Sequence, residues 1–168
     1  MFTRDDDVER LCARGVLLRA EDWLQMIGYA DRDELVLHRQ LLLVKETQQT
    51  IDGFGGQARE DVLASMEEYL SPETLVWGQA ATGNCIVPLD PARRWCEFKI
   101  RTLPQVRLFG AFLRLDYFIV LEARWRRDVD RHLQDRLDWK WRKLWGDDAY
   151  RCPVNDYSVL LTNARTGS

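Results

Sequence analysis

Basic side chains recur along the second half of the chain in a pattern that could hold phosphate groups. They lie in or beside three segments in which apolar and polar residues alternate, and they are Lys99, Arg101, Arg107, Arg124, Arg126 and Arg127. Guanidinium groups bind phosphate oxygens through paired hydrogen bonds, and they can stabilise the charge that develops when a phosphodiester is cleaved. The competing interpretation is that these cations form weak ion pairs with Glu97 and Glu122 on a sheet face.

Aromatic residues accompany these cations. Five of the seven tryptophans lie after residue 90. An exposed aromatic ring beside arginines can stack on an unpaired base, which contributes ~1–3 kcal/mol per base. Trp141 and Trp145 fall on the apolar stripe of a predicted helix, so Trp139 is the one we expect to be exposed. We therefore predict nucleic-acid contacts from Arg126, Arg127 and Trp139, with a core or partner-interface role for the tryptophans as the competing interpretation.

Metal-binding and redox motifs are not apparent in the sequence. The four cysteines are widely spaced, only two histidines are present, and a structural zinc site needs close-spaced ligand pairs. We expect the cysteines to be small buried side chains. Nothing resembles a P-loop, a dinucleotide fingerprint or a Ser-His-Asp arrangement. We accordingly predict no metal and no cofactor.

The elements that must position the cations are three strands and a helix. Alternation with a period of two predicts strands over residues 95–101, 105–114 and 117–125, with a turn at residues 115–116. A spacing of three to four between apolar residues predicts an amphipathic helix over residues 127–145, which Gly146 ends. Short connections make the strands an antiparallel meander, and the helix is expected to cover one of its faces. A further short edge strand is predicted at residues 159–161.

The first half of the chain reads as helical. Helices are predicted over residues 5–13 and 21–29, over a Leu-rich stretch from Asp31 to Ile51, and over residues 57–70, followed by a capped turn at residues 71–77. The predicted fold class is α+β: a helical N-terminal half, then an antiparallel β-meander packed against a C-terminal amphipathic helix. We place an acidic helical region at residues 1–78 and a basic region at residues 79–168, either as two parts or as one continuous domain.

Charge differs between the two halves. Residues 1–89 hold 8 Lys/Arg and 16 Asp/Glu, whereas residues 90–168 hold 16 Lys/Arg and 11 Asp/Glu. A basic surface of this kind could meet an anion or dock on its own acidic half. No apolar run approaches the ~18–20 residues that cross a bilayer, and the acidic N-terminus does not resemble a signal peptide. We expect a cytoplasmic protein with no membrane contact.

Three segments of the second half carry a resemblance to a known family. Residues 95–101 (WCEFKIR), 106–112 (VRLFGAF) and 117–126 (YFIVLEARWR) resemble the β-meander of the RelE/HigB/ParE superfamily, the toxins of bacterial type II toxin–antitoxin pairs. Asp156-Tyr157-Ser158 is similar to the Asp-Tyr near the end of some HigB-like chains. The resemblance covers roughly residues 94–160.

The resemblance implies an endoribonuclease that cleaves mRNA without a metal, free or on the ribosome. It implies that Lys99 and Arg101 hold the scissile phosphate or share acid–base work. Arg107 and Arg124 would stabilise the transition state, and Tyr157 would act as a general base or stack on a base. The implied partners are RNA or a ribosome, together with an antitoxin.

A second function from another class stays open at this point. The excess of acidic residues before residue 90, together with the absence of a recognised catalytic motif, fits a non-catalytic inhibitor or adaptor of a mobile element or phage. Its acidic helical half would engage a basic protein partner or a nucleoprotein effector.

Overall fold

The computed structural model describes residues 5–31, 35, 37–80, 83–101, 105–146 and 151–166. Within these residues, five α-helices flank one sheet. They are α1 (Asp5–Ala13), α2 (Ala20–Met26), α3 (Lys45–Phe54), α4 (Gly56–Leu70) and α5 (Leu133–Trp145). Short 3₁₀ turns lie at Arg126–Asp128 and Tyr157–Val159. The α+β class is confirmed.

The eight strands form a single mixed sheet. They are β1 (Leu17–Arg19), β2 (Gln40–Val44), β3 (Leu75–Trp77), β4 (Cys85–Pro88), β5 (Cys96–Ile100), β6 (Val106–Arg114), β7 (Tyr117–Trp125) and β8 (Ala164–Thr166). Their order across the sheet is β1-β2-β7-β6-β5-β4-β3-β8. β2 runs parallel to β7, and β3 runs parallel to both β4 and β8, whereas β5, β6 and β7 pair antiparallel in chain order. The predicted meander is therefore the centre of a larger sheet.

Helices cover both faces of the central strands. On one face, α2, α3 and α4 pack on a core that includes Phe98, Leu108 and Phe118. On the other, α1 and α5 pack on a second core that includes Phe109 and Ile119. Because both faces are buried, β6 and β7 carry apolar side chains almost continuously over their middle residues.

A bulge at the centre of the β6–β7 pair sets which side chains share a face. The register shifts between Phe109 and Gly110, so that Phe109 lies opposite Glu122 while Gly110 lies opposite Val120. A Cβ atom added to Gly110 would lie 1.9 Å from the carbonyl oxygen of Ile119. Glycine is needed here because the neighbouring backbone leaves no room for a side chain.

The first half holds helices α1 to α4, but the prediction of a helical half missed three strands, β1, β2 and β3. The Leu-rich stretch contains β2, a buried strand, and helix α3 begins only at Lys45. The run Leu41-Leu42-Leu43-Val44 fits a strand that is buried on both faces and parallel to β7, which periodicity alone cannot distinguish from a buried helix. β1 and β3 also belong to this half, so residues 75–77 are a strand where a capped turn was expected.

Two boundaries in the second half also differ from expectation. The amphipathic helix begins at Leu133, because residues 126–132 form a 3₁₀ turn and an irregular segment. Residues 157–159 form a 3₁₀ turn, and the edge strand lies later, at β8. The boundary near residue 78 stays a prediction about domains. Strands from both sides of it, β3 and β4, are neighbours in the same sheet.

No helix in the described part of the chain is both long enough and apolar enough to span a bilayer.

Candidate nucleic-acid interface

Three of the predicted site residues form one row across the sheet. Lys99 of β5 lies opposite Arg107 of β6, and Arg107 lies opposite Arg124 of β7. Directly opposite residues project from the same face, and this is the face that α5 partly covers. The register thus brings together cations that are separate in sequence.

A second row lies toward the end of the strands. Arg101 follows Lys99 by two residues, and the Arg126 amide donates to the Gln105 carbonyl at 2.9 Å. Arg101 follows the last residue of β5 and Arg126 the last residue of β7. Arg107 Nη2 and Arg126 Nη1 both donate to Gln105 Oε1, so Arg126 lies beside the first row. We call Lys99, Arg101, Arg107, Arg124 and Arg126 the cationic rows.

Arg107 is at the buried centre of the cationic rows and is only 4% exposed. Its Nε lies 2.9 Å from Glu97 Oε1, and its Nη2 donates to Gln105 Oε1 at 3.0 Å. Burial lowers the pKa of its guanidinium from the ordinary value, although the Glu97 carboxylate opposes this effect. Its hydrogen bonds are taken by the protein, so Arg107 positions its neighbours and has little surface for a ligand.

Glu122 holds a second set of cations. Its carboxylate accepts hydrogen bonds from Arg124 Nε and from Arg136 Nη2, the latter at 2.9 Å, and Lys140 Nζ lies 3.4 Å away. Burial acts to raise the pKa of Glu122, but the hydrogen bonds from Arg136 and Arg124 and the charge of Lys140 outweigh it. The pKa of Glu122 therefore lies below its ordinary value. Arg124 keeps a fixed orientation because this carboxylate holds it.

Four cations at this end of the sheet are available to a ligand. Lys99 Nζ donates to Gln79 Oε1 at 2.7 Å, Arg101 Nη2 donates to the Ala80 carbonyl at 2.6 Å, and Arg126 Nη1 donates to Gln105 Oε1 at 3.1 Å. Arg127 is exposed and lies 5.5 Å from the ring centre of Trp125. Among the described residues, no carboxylate forms an ion pair with any of the four. Their charge can therefore attract an anion.

Comparison of the chain with protein-family models, curated proteins and solved structures finds no match. The function must therefore be argued from the site itself.

Two of the predicted site residues lie away from the cationic rows. Tyr157 packs against the core on the α2–α4 side, close to Leu160, whose carbonyl accepts the Asp116 amide at 2.8 Å. Asp116 is in the turn that joins β6 to β7. Arg107 precedes this turn by about eight residues along β6, which corresponds to a distance of roughly 25 Å at ~3.3 Å per residue. The face and the distance together separate Tyr157 from the cations.

Trp139 is exposed, as predicted, but lies on α5 and not among the cationic rows. It is 53% exposed, and Lys143 Nζ lies 4.3 Å from its ring centre. Trp141 is buried, whereas Trp145 is only partly buried against the α1–α5 core.

Arg136 and Lys140 are site residues that the sequence analysis missed. Their spacing of four places them on one side of α5, and this signal was present in the sequence. Their role in holding Glu122 could not be predicted from the sequence, because Glu122 approaches them only after β7 pairs with β6. No group of three or more His, Cys, Asp or Glu that could hold a metal occurs in the described part of the chain.

Proposed function

We propose that the protein binds RNA through the phosphate backbone at the end of the sheet that carries the cationic rows. The observation that carries the proposal is a cluster of cations, Lys99, Arg101, Arg126 and Arg127, that form no ion pair with a carboxylate of the described residues. They lie beside the row in which the register aligns Lys99 with Arg107 and Arg124. Clustered guanidinium groups favour phosphate as a ligand. The resemblance of these strands to RelE-like toxins supports RNA as the anion.

Binding is the part of this function that the geometry supports best. The side chains expected to be catalytic do not share one site, because Tyr157 lies near the opposite end of the β6–β7 hairpin. Arg107 is buried and paired with Glu97. Cleavage of the bound RNA is a further proposal, in which Lys99, Arg101 and Arg124 contact the phosphate.

Removing the two second-row arginines tests RNA binding. For Arg101→Gln/Arg126→Gln we expect the affinity for a labelled RNA to fall about 100-fold or more, because each of the two lost hydrogen bonds to a charged group contributes ~1.5 kcal/mol or more. The slope of log affinity against log salt should flatten by about 0.7 per lost contact. Fluorescence anisotropy over a salt series measures both quantities.

The matched control is Arg59→Gln/Arg165→Gln, which removes the same charge from α4 and β8. The control should bind RNA like the unaltered protein. An equal loss in both variants, or no salt-dependent binding by the unaltered protein, would contradict the proposal and favour the acidic-half partner function. A denaturing gel of the same RNA reports cleavage separately, and Lys99→Ala should abolish any cleavage that is seen.

A further inference from the structure

A groove leads from the cationic rows along α5. It consists of two adjoining cavities that share Glu46 and Lys140 in their walls. The first cavity, of about 320 Å³, lies between α3 and the end of β7 and is lined by Arg124, Trp125 and Phe54 among others. The second, of about 390 Å³, lies between α1 and α5. We call the two together the α3–α5 groove, and Arg124 connects it to the cationic rows.

The second cavity combines an apolar floor with a basic rim. Its apolar side chains are Leu11, Val16, Val44, Leu144 and Trp139. Its rim carries four cations, Arg14, Lys45, Lys140 and Lys143, against one carboxylate, Glu46. Lys140 Nζ lies 3.7 Å from Glu46 Oε2, so part of this rim is neutralised and the remaining cations leave a positive edge.

At each end of the groove an aromatic ring lies beside a cation. At the first cavity, the rings of Trp125 and Phe54 are 4.7 Å apart, and Arg127 lies over Trp125. At the second, the exposed ring of Trp139 lies under Lys143. The first cavity has three carboxylates, Glu46, Glu122 and Asp128, against the two cations Arg124 and Lys140. The positive charge of the groove therefore lies in its second cavity.

We infer that the second cavity of the α3–α5 groove takes a single strand of nucleic acid, with an unpaired base stacked on Trp139 and the flanking phosphates on Lys143 and Arg14. Cations that follow a groove, with aromatic faces between them, bind the backbone and bases of single strands. A duplex keeps its base faces stacked internally and cannot offer one to Trp139. The inference rests on the proposed RNA binding and defines its substrate as single-stranded.

The test compares labelled single-stranded RNA, single-stranded DNA of the same sequence and a duplex RNA. For Trp139→Ala we expect affinity for the single strands to fall about 5-fold or more, and duplex affinity to stay within about 2-fold. Trp139→Phe should recover most of the loss because phenylalanine keeps a face for stacking. Met26→Ala, an exposed apolar residue of α2, is the control and should change nothing.

The outcomes separate this inference from the proposed function. If Trp139→Ala binds single strands normally while Arg101→Gln/Arg126→Gln does not, the assignment of the groove as the single-strand site is wrong. The proposed RNA binding by the cationic rows would still be supported. If the unaltered protein binds no nucleic acid, the proposed function fails. Equal loss for duplex and single strands, or Trp139-dependent binding of polyglutamate alone, overturns the single-strand assignment. Equal affinity for RNA and DNA supports the single-strand assignment and would show that the protein does not distinguish ribose from deoxyribose.

Discussion

Glu122 organises the cationic surface at the level of single residues. It is 5% exposed, and it orients Arg124, Arg136 and Lys140 by accepting from or attracting each of them. Without the Glu122 carboxylate, Arg136 keeps Asp130 and Lys140 keeps Glu46, whereas Arg124 loses its only ion pair among the described residues. Removing one partner of a buried ion pair is costly even where the pair itself contributes little net stability. Arg124 and Arg136 are each about one-third exposed, so water compensates part of that cost.

Glu122→Gln should destabilise the fold by about 1–3 kcal/mol at neutral pH, a value reduced from the buried-pair range because the cations are partly solvated. The pKa of Glu122 is lowered in the folded state. Its stabilisation is therefore full above the pKa of the unfolded chain and is lost as the pH falls through the folded pKa. Urea unfolding from about pH 7 to about pH 3 measures this. The difference between the two proteins should shrink toward acid pH, and a constant difference would contradict the prediction. Glu67→Gln, at an exposed position of α4, is the control and should change the free energy of unfolding by less than about 0.5 kcal/mol at neutral pH.

At the level of elements, the β6–β7 hairpin determines where the cations project. Arg107 and Arg124 lie opposite each other because the register shift between Phe109 and Gly110 reverses an earlier shift between Phe112 and Arg114. Without that offset, the side chains of β7 beyond Val120 would point to the opposite face, since a shift of one residue reverses a strand. The bulge requires the close approach of Gly110 to the Ile119 carbonyl.

Gly110→Ala should therefore destabilise the protein by about 3 kcal/mol or more, since the new methyl group meets backbone that cannot move aside cheaply. Gly53→Ala is the matched control, because a Cβ there meets no atom within 4 Å and the residue lies in α3. The control should stabilise by roughly 0.5–1 kcal/mol. Thermal and urea unfolding of the two variants measure this. A loss below about 1 kcal/mol for Gly110→Ala would contradict the tight approach.

At the level of the whole molecule, Arg39 joins segments from the beginning, middle and end of the chain. It is 1% exposed. Its guanidinium donates to the carbonyls of Tyr69 at 3.1 Å, Glu73 at 2.8 Å and Thr162 at 2.9 Å. Its Nε lies 3.7 Å from Asp116 of the β6–β7 turn. Burial lowers the pKa of Arg39, against the opposing influences of Tyr69 and Asp116. One side chain thus contacts the end of α4, the β6–β7 turn and the C-terminal segment.

Arg39→Met should destabilise the whole fold by about 3–5 kcal/mol, because several buried carbonyls and Asp116 lose their donor together. Arg39→Lys should recover little, since an ammonium group lacks the planar fork that reaches these carbonyls. Urea unfolding followed by circular dichroism measures the effect, and the transition should remain single. A loss below about 1 kcal/mol would show that these segments hold together without Arg39.

The spacing of apolar residues along the chain was sufficient to predict several helices and strands. α1, α4 and β5 to β7 were predicted close to their observed bounds, because helices and strands have periods of 3.6 and 2 that a short window of sequence reveals. The types of the candidate ligands, Lys99, Arg101 and Arg126, were also evident from the sequence. So was the exposure of Trp139, which follows from its place opposite the apolar stripe of α5.

Long-range pairing decided the rest. β2 is a strand because β7 lies beside it. The cationic rows exist because the register, with its two shifts between β6 and β7, aligns three strands. Arg39 and Glu122 acquire their partners only when segments far apart in sequence meet. Periodicity is a property of neighbours along the chain, whereas register and burial depend on contacts between distant residues. The chemical groups could therefore be identified from the sequence, and their grouping into a site could not.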